Sequence, residues 1–375
     1  MNSHHNIRIR SRAVAGTTVT AVVSCAALAF GAADASASSS SAAGVTVPAG
    51  FHASLFAGAP KGATGADDIT ELGDHVFVAF QNGVGTMGEP SPTGNTKSTV
   101  VEYNRQGKVV NTWSVVGKVD GMGADPSRDQ VIATVNEDGN SSLYTISPDR
   151  PGHSAADEVK HYSYSQNPLP HGGGTDSVVV RNGVIFISAS NPSADADGTT
   201  FSGPALYQAD LDGNTAKLTA VLHGDSTATD AVTGKKVTLN LSDPDSSELV
   251  PRGETRFGGD LLLDSQADGE LIFLHNPGHP NQQATVLNLT TQVDDTAFAA
   301  GSCGSTLYVV DNGTNEILAI TGNFGRGIVF TAVPNDSTVD PGNLATVNMA
   351  TGAVTPFGSG FVNPHGLLFV SNDEH

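Results

Sequence analysis

The sequence predicts an all-β chain folded as a six-bladed β-propeller, and three observations predict it. Six times, a segment with an acidic or imidazole side chain runs into an apolar stretch, at Asp68, Asp120, Asp176, Glu248, Asp295 and His365. An outer hairpin follows most of these strand starts, at a spacing that suits four-stranded blades with loop insertions. Helical periodicity is hard to find outside the N-terminus, while 43 Gly and 19 Pro in 375 residues suit a turn-rich fold.

The chain opens on an export signal, residues 1–35. Arg8, Arg10 and Arg12 form a positive start, the run from Ala13 to Phe30 is apolar and small, and Ala33-Asp-Ala35 or Ala35-Ser-Ala37 offers a cleavage site. Val22-Val-Ser-Cys25 loosely resembles a lipid-attachment site, but the apolar run continues past Cys25, which favours free secretion over a lipid anchor. The following Ser/Ala tract, residues 36–44, reads as a flexible linker. A retained membrane span is not expected, because the apolar segment is short and Asp34 follows it.

Residues 45–375 then read as one repetitive domain. Val45-Thr-Val47 and Phe51 to Phe56 are strand-like and precede the first unit. That unit runs Asp67-Asp68-Ile69 to Leu72, then His75 to Phe80, then Gln81-Asn82-Gly83. The order recurs at Asp176 with Val184 to Ser190, and at Asp295 with Thr306 to Val310 and Asp311-Asn312-Gly313. Looser copies start at Asp120, leading to Val131–Val135, and at Glu248, leading to Asp260–Leu263. Outer hairpins follow at Val100–Val110, Leu206–Val221 and Leu344–Val354, with Gly and Asn supplying the positive φ that tight loops need. His365 leads into Leu367–Val370, and the two N-terminal strands would complete that last blade, removing an exposed sheet edge. A seven-bladed count stays open, because Glu316 to Val333 holds more strand-like sequence than one hairpin needs.

Charge narrows the partners. With 18 Lys and Arg against 38 Asp and Glu, the net charge of −20 disfavours nucleic acid and anionic membrane and suits cations, sugars or other small molecules. An extracellular protein partner is also compatible, and a monomer is expected; solubility in a salty exterior would explain much of the acidic excess by itself. Removal of the signal leaves Cys303 as the sole cysteine, so no internal disulfide forms. Its Gly301-Ser-Cys-Gly304 setting reads as a turn rather than as an activated nucleophile.

Asp68, Asp120, Asp176, Glu248 and Asp295 are candidate ligands for Ca²⁺ or Mg²⁺, since carboxylates converging on one channel repel unless a hard cation neutralises them. The competing structural reading is that an Asp at a strand start caps backbone amides. His171 and His365 are candidate general bases beside such a metal, against a plain loop role. His275 and His279 read as decoration of an outer turn. The Asp-rich loops Asp195-Ala-Asp197, Asp210-Leu-Asp212 and Asp243-Pro-Asp245 are further calcium candidates but lack EF-hand spacing, the second coinciding with a hairpin turn, and neither a phosphate loop nor a Gly-x-Ser-x-Gly elbow is present.

The segments Asn363-Pro-His-Gly366-Leu-Leu-Phe-Val370 and Leu307-Tyr-Val-Val-Asp311-Asn-Gly313 resemble blades of the NHL and gluconolactonase/regucalcin-like propellers, with secreted propellers of scytonemin gene clusters most similar. The resemblance implies a six-bladed fold and, in the lactonases, a divalent metal held in the channel by Glu, Asp and Asn; virginiamycin-type lyases of the wider group pair a metal with a His. Neither ligand set matches residue by residue, and Asp stands where NHL blades often carry Pro-x-Gly. Two function classes follow: a secreted propeller that binds a ligand or cation in its channel, favoured because no catalytic motif is present, and a metal-dependent lactonase-like hydrolase or lyase acting on a small neutral substrate.

Overall fold

Which residues face the channel depends on how the inner strands pair with their neighbours. A computed structural model describes residues 44–148, 158–301, 304–335 and 342–371. The signal segment, Cys25 and Cys303 lie outside the described residues. Strand β1 (Phe51–Gly58) comes first. An antiparallel set follows, β2 (Ala66–Leu72), β3 (His75–Phe80), β4 (Lys97–Asn104) and β5 (Val109–Val116). The second set is β6 (Val119–Asp125), β7 (Gln130–Val135), β8 (Ser142–Ile146) and β9 (Val159–Tyr164). The third is β10 (Val178–Arg181), β11 (Val184–Ser188), β12 (Pro204–Asp212) and β13 (Thr215–His223), joined to the second only where β13 runs parallel to β9 at Thr215 and Ala216. The fourth adds the hairpin β14 (Thr227–Asp230) and β15 (Lys236–Thr238) to β16 (Pro244–Leu249), β17 (Leu261–Ser265), β18 (Glu270–His275) and β19 (Gln283–Asn288).

The last stretch interleaves two sets. β20 (Thr296–Phe298), β21 (Thr306–Asp311), β22 (Glu316–Gly322), β23 (Val329–Val333), β24 (Asn343–Val347), β25 (Val354–Pro356) and β26 (Pro364–Val370) sort into the orders β20-β23-β24-β25 and β26-β21-β22-β1. Two sequence expectations are corrected here. The strand Thr306–Asp311 does not pair with the Asp295 segment but with the His365 segment, because the chain leaves the fifth set, builds two strands of the sixth and returns. The N-terminus supplies one outer strand of the closing set, β1, and not two; Thr46 instead bridges Ser359 beside the fifth. The closing set still joins N-terminal and C-terminal chain, and the surplus strand sequence in Glu316–Val333 is divided between two sheets as β22 and β23.

The inner strands touch in a closed order, β2 to β6, β10, β16, β20, β26 and back to β2, giving a propeller arrangement around a channel. Apolar clusters fill the space between successive sets, which is why the second strands are apolar on both faces rather than alternating. In His75–Phe80, Val76, Val78 and Phe80 pack against Tyr308 and Val310, whereas Phe77 and Ala79 pack against Met122 and Ala133. A two-sided burial of this kind contributes about 1.5–3 kcal/mol per large apolar side chain. Among the described residues no helix is long and apolar enough to cross a membrane.

Candidate functional site

Every inner strand carries the same irregularity at the same place. Ala66 pairs with Phe80 and Ile69 with Val78, so Asp67 and Asp68 together oppose Ala79 alone. Asp120-Gly121, Asp245-Ser246 and His365-Gly366 are doubled in the same way. Asp176-Ser177 share Ser188, and Asp294-Asp295 share Ala332, through backbone hydrogen bonds. A β-bulge re-aims side chains, and repeated around a ring it aims its two residues at two different environments.

The first bulge residue of each set, Asp67, Asp120, Asp176, Asp245, Asp294 and His365, faces one mouth of a cavity of about 430 Å³. His365 Nδ1 lies 3.1 Å from Asp67 and 3.0 Å from Asp294, bridging two carboxylates. Its Nε2 accepts from Asn363 Nδ2 at 2.9 Å, so both ring nitrogens are engaged. Lys118 Nζ lies 2.6 Å from Asp120 Oδ1 and also pairs with Glu137. Burial alone would lower the Lys118 pKa, but Asp120 and Glu137 outweigh it, so the ammonium stays charged. Between these two bridges, Asp176 and Asp245 share a hydrogen bond with each other. Burial pushes Asp176 up to about 7, and burial with the Asp176 charge holds Asp245 well above the usual carboxylate range. Burial likewise pushes Asp294 up to about 8 against the pull of His365.

The second bulge residue touches the next set instead. Asp68 accepts from the Met122 amide, and Asp295 Oδ2 accepts from the Leu367 amide at 2.7 Å. Ser177 Oγ donates to Asp245 O at 2.6 Å, and Ser246 Oγ donates to Asp294 O. In the remaining two sets the position is glycine, because a Cβ on Gly121 would sit 2.2 Å from Asp176 O and one on Gly366 2.7 Å from Asp67 O. Carboxylate clip, hydroxyl clip and bare backbone contact are three solutions to one geometric demand.

The six residues singled out from sequence therefore line one cavity without forming one ring. Asp120, Asp176 and His365 stand at the mouth; Asp68 and Asp295 are one residue out of step and bond backbone amides. Glu248 lies three residues past Asp245, about 10 Å deeper at the usual rise of a strand, and accepts from its own Leu249 amide at 2.7 Å. Burial pushes Asp295 to about 7 and Glu248 to about 8. His171 leaves the site altogether: it is 3% exposed, Nδ1 accepts from Tyr207 OH at 2.8 Å, and Nε2 donates to Gly174 O at 2.8 Å. Those bonds tie down the Gly172–Gly174 loop, and burial lowers its pKa, so the ring is a neutral strut and not a base in the channel. Of the three Asp-rich loops, the one at Asp197 is a local turn, with Asp197 accepting from the Thr199 and Thr200 amides, whereas Asp245 of Asp243-Pro-Asp245 stands at the mouth.

Sequence reasoning missed Asp67, Asp294 and, because it was read as part of a separate Asp-rich loop, Asp245 as mouth residues, along with Lys118 and Glu137. A signal for the first three was present: in all six units the mouth residue precedes Asp, Ser or Gly, as in Asp67-Asp68, Asp120-Gly121, Asp176-Ser177, Asp245-Ser246, Asp294-Asp295 and His365-Gly366. Lys118 and Glu137 carry no such pattern. The hard oxygen donors suit Ca²⁺ or Mg²⁺, and Asp120 Oδ2 is buried with no hydrogen-bond partner. Among the described residues, however, no three carboxylate or imidazole groups converge tightly enough to hold a metal ion as they stand. The mouth is an acidic cluster with oxygen donors of the type hard cations take.

No protein-family model matches the chain, and no curated protein does. Solved structures resemble it in part. A functionally unknown protein from Desulfotomaculum acetoxidans aligns at 13% identity and TM-score 0.44, over 86% of this chain and 96% of that one. The periplasmic gluconolactonase of Pseudomonas aeruginosa aligns at 12% identity and TM-score 0.41, over 81% and 88%. A gluconolactonase of Xanthomonas campestris aligns at 9% identity and TM-score 0.43, over 85% and 83%. At such scores the likeness carries neither family nor activity.

Proposed function

We propose that the chain is an exported six-bladed β-propeller, one blade per antiparallel set, that binds a hard cation such as Ca²⁺ or Mg²⁺ at its channel mouth. One observation carries the reading: five carboxylates occupy equivalent bulge positions, and among the described residues Lys118 is the one cationic side chain set among them, with His365 bridging Asp67 and Asp294. Asp120, Asp176 and Asp245, neighbours on the ring, would hold the ion, which would supply charge neutralisation and an anchor for a sugar or other oxygen-rich small molecule. Extracellular oxygen-ligand sites bind Ca²⁺ with dissociation constants on the order of 10⁻⁴–10⁻³ M.

Thermal melting in EDTA and in about 10 mM Ca²⁺ or Mg²⁺ tests this. Mass action at that excess gives about 1.4–2.7 kcal/mol of stabilisation, a Tm rise of several degrees, which Asp176→Asn/Asp245→Asn abolishes. No shift in the wild-type chain removes the cation and the reading with it. A second reading, metal-dependent opening or elimination of a small neutral substrate, is favoured only by His365 standing between Asp67 and Asp294 at the mouth. It needs Asn363 to release Nε2, and lactone turnover lost in His365→Ala would be its signature.

A further inference from the structure

We propose that Lys118 is a tethered occupant of the mouth, an internal counter-ion that competes with the bound cation and sets its affinity and charge preference. The inference rests on the cation-binding reading and deepens it. Lys118 stands two residues before the mouth residue of its set; the same place in the other five sets is held by Gly65, Gly174, Asp243, Gln292 and Asn363. No other set brings a cation from this position. Its backbone is fixed from both sides, with Lys118 N donating to Asn136 Oδ1 at 3.0 Å and Asn136 N donating to Lys118 O at 2.8 Å. The side chain, 14% exposed, therefore reaches a defined spot and not a range of solvent positions.

At that spot the ammonium sits 2.6 Å from Asp120 Oδ1, which also accepts from Gln81 Nε2 at 3.1 Å. The second Asp120 oxygen is buried and has no partner. Next on the ring come Asp176 and Asp245, which no cationic side chain separates and which hydrogen-bond each other. An incoming ion must use Asp120 together with these two, so it meets Lys118 as a like charge beside its own ligands. The repulsion scales with the charge of the ion, so Lys118 penalises a divalent cation more than a monovalent one. A lysine there keeps the mouth from collapsing or over-protonating when no ion is bound, at the expense of tight binding.

Isothermal titration of wild type, Lys118→Met and Lys118→Met/Glu137→Gln with CaCl₂ and NaCl tests the proposal. The double variant removes one positive and one negative charge, so the net charge of the mouth matches the wild type. Ca²⁺ affinity is expected to rise about 10-fold or more in both variants, with a smaller gain for Na⁺. A gain in Lys118→Met alone, with the double variant at the wild-type value, would mean that net charge and not occupancy is at work and overturns the proposal. Equal or weaker Ca²⁺ binding in both overturns it while leaving the cation-binding reading intact. Binding in the variants but none in the wild type overturns both, since no native cation is then left for Lys118 to tune. Should Lys118→Met fold only when Ca²⁺ is added, the ion is replacing the ammonium, as expected. If neither variant folds even in Ca²⁺, Lys118 is structural and the proposal fails.

Discussion

Asp67 and Asp68 are neighbours in the chain and opposites in role. Asp67 meets His365 of the adjoining inner strand at the mouth, whereas Asp68 turns to the Met122 amide of the next set. Asp294 and Asp295 repeat the contrast, one toward His365 and the other toward the Leu367 amide. Residue type, burial and sequence position are nearly the same within each pair. The difference comes from the bulge, which gives two consecutive residues to one partner and so turns one toward the channel and one toward the neighbouring sheet. An acidic residue at a strand start is thus a ligand candidate or a strut according to a register shift of one.

The contrast can be broken most strongly through pH. Asp176 and Asp295 near 7, and Asp294 and Glu248 near 8, stay protonated in the folded chain where the unfolded chain has already released its protons. Their folded pKa values are raised, so stability is greatest below about pH 4 for these groups and is lost as pH climbs toward 8. The direction is a loss of stability as pH rises through that window, because the folded chain holds protons that the unfolded chain has released. Urea denaturation in EDTA at pH 5 and pH 7.5 should therefore show the lower stability at pH 7.5. Ca²⁺ should recover the share owed to the mouth residues and leave that of Asp295 and Glu248; a flat or rising profile contradicts the assignment.

Next in size is Gly121→Ala, which places a Cβ against the Asp176 carbonyl, on backbone that neither strand can easily move. A loss of about 3 kcal/mol is expected in denaturant unfolding, whereas a neutral result would show that the inner strands do not need this close approach. Smallest is the comparison of Asp295→Ala with Asp294→Ala. Losing the Asp295 clip strands the buried Leu367 amide and costs about 1–3 kcal/mol, with the Ca²⁺-induced Tm shift unchanged. Asp294→Ala is expected to alter the Ca²⁺ response instead. Equal Ca²⁺ responses in the two variants would erase the distinction between mouth and clip.

Much of the fold was legible in the chain. Repeated apolar stretches bounded by Asn and Gly turns announce antiparallel sets, and Asn82, Asn136 and Asn191 do take positive φ where those turns were expected. The strand start at Asp120 and its continuation through Val131–Val135 pair as read. The error at Thr306–Asp311 arose because an interleaved chain path leaves local patterns intact: β21 is as good a partner for β20 as for β26 by sequence alone. The site was half legible. Asp120, Asp176 and His365 were found because acidic or imidazole side chains at strand starts are rare enough to notice, while Asp67 and Asp294 were passed over for the Asp that followed each.

By itself, the sequence determined an all-β chain of repeated strand units with an acidic or imidazole side chain at each start, since apolar runs, turn residues and side-chain charge are local properties. It also held the doubled pattern of a mouth residue followed by Asp, Ser or Gly. Only the tertiary structure decided which of two adjacent residues faces the channel, that Lys118 and Glu137 enter the mouth, that His171 is a buried strut, and that the sixth set is completed by β1. Those outcomes depend on contacts between residues far apart in the chain, such as Phe51 with Gly322 and Asp67 with His365, and on a bulge whose direction is set by the neighbouring sheet, which no local pattern encodes.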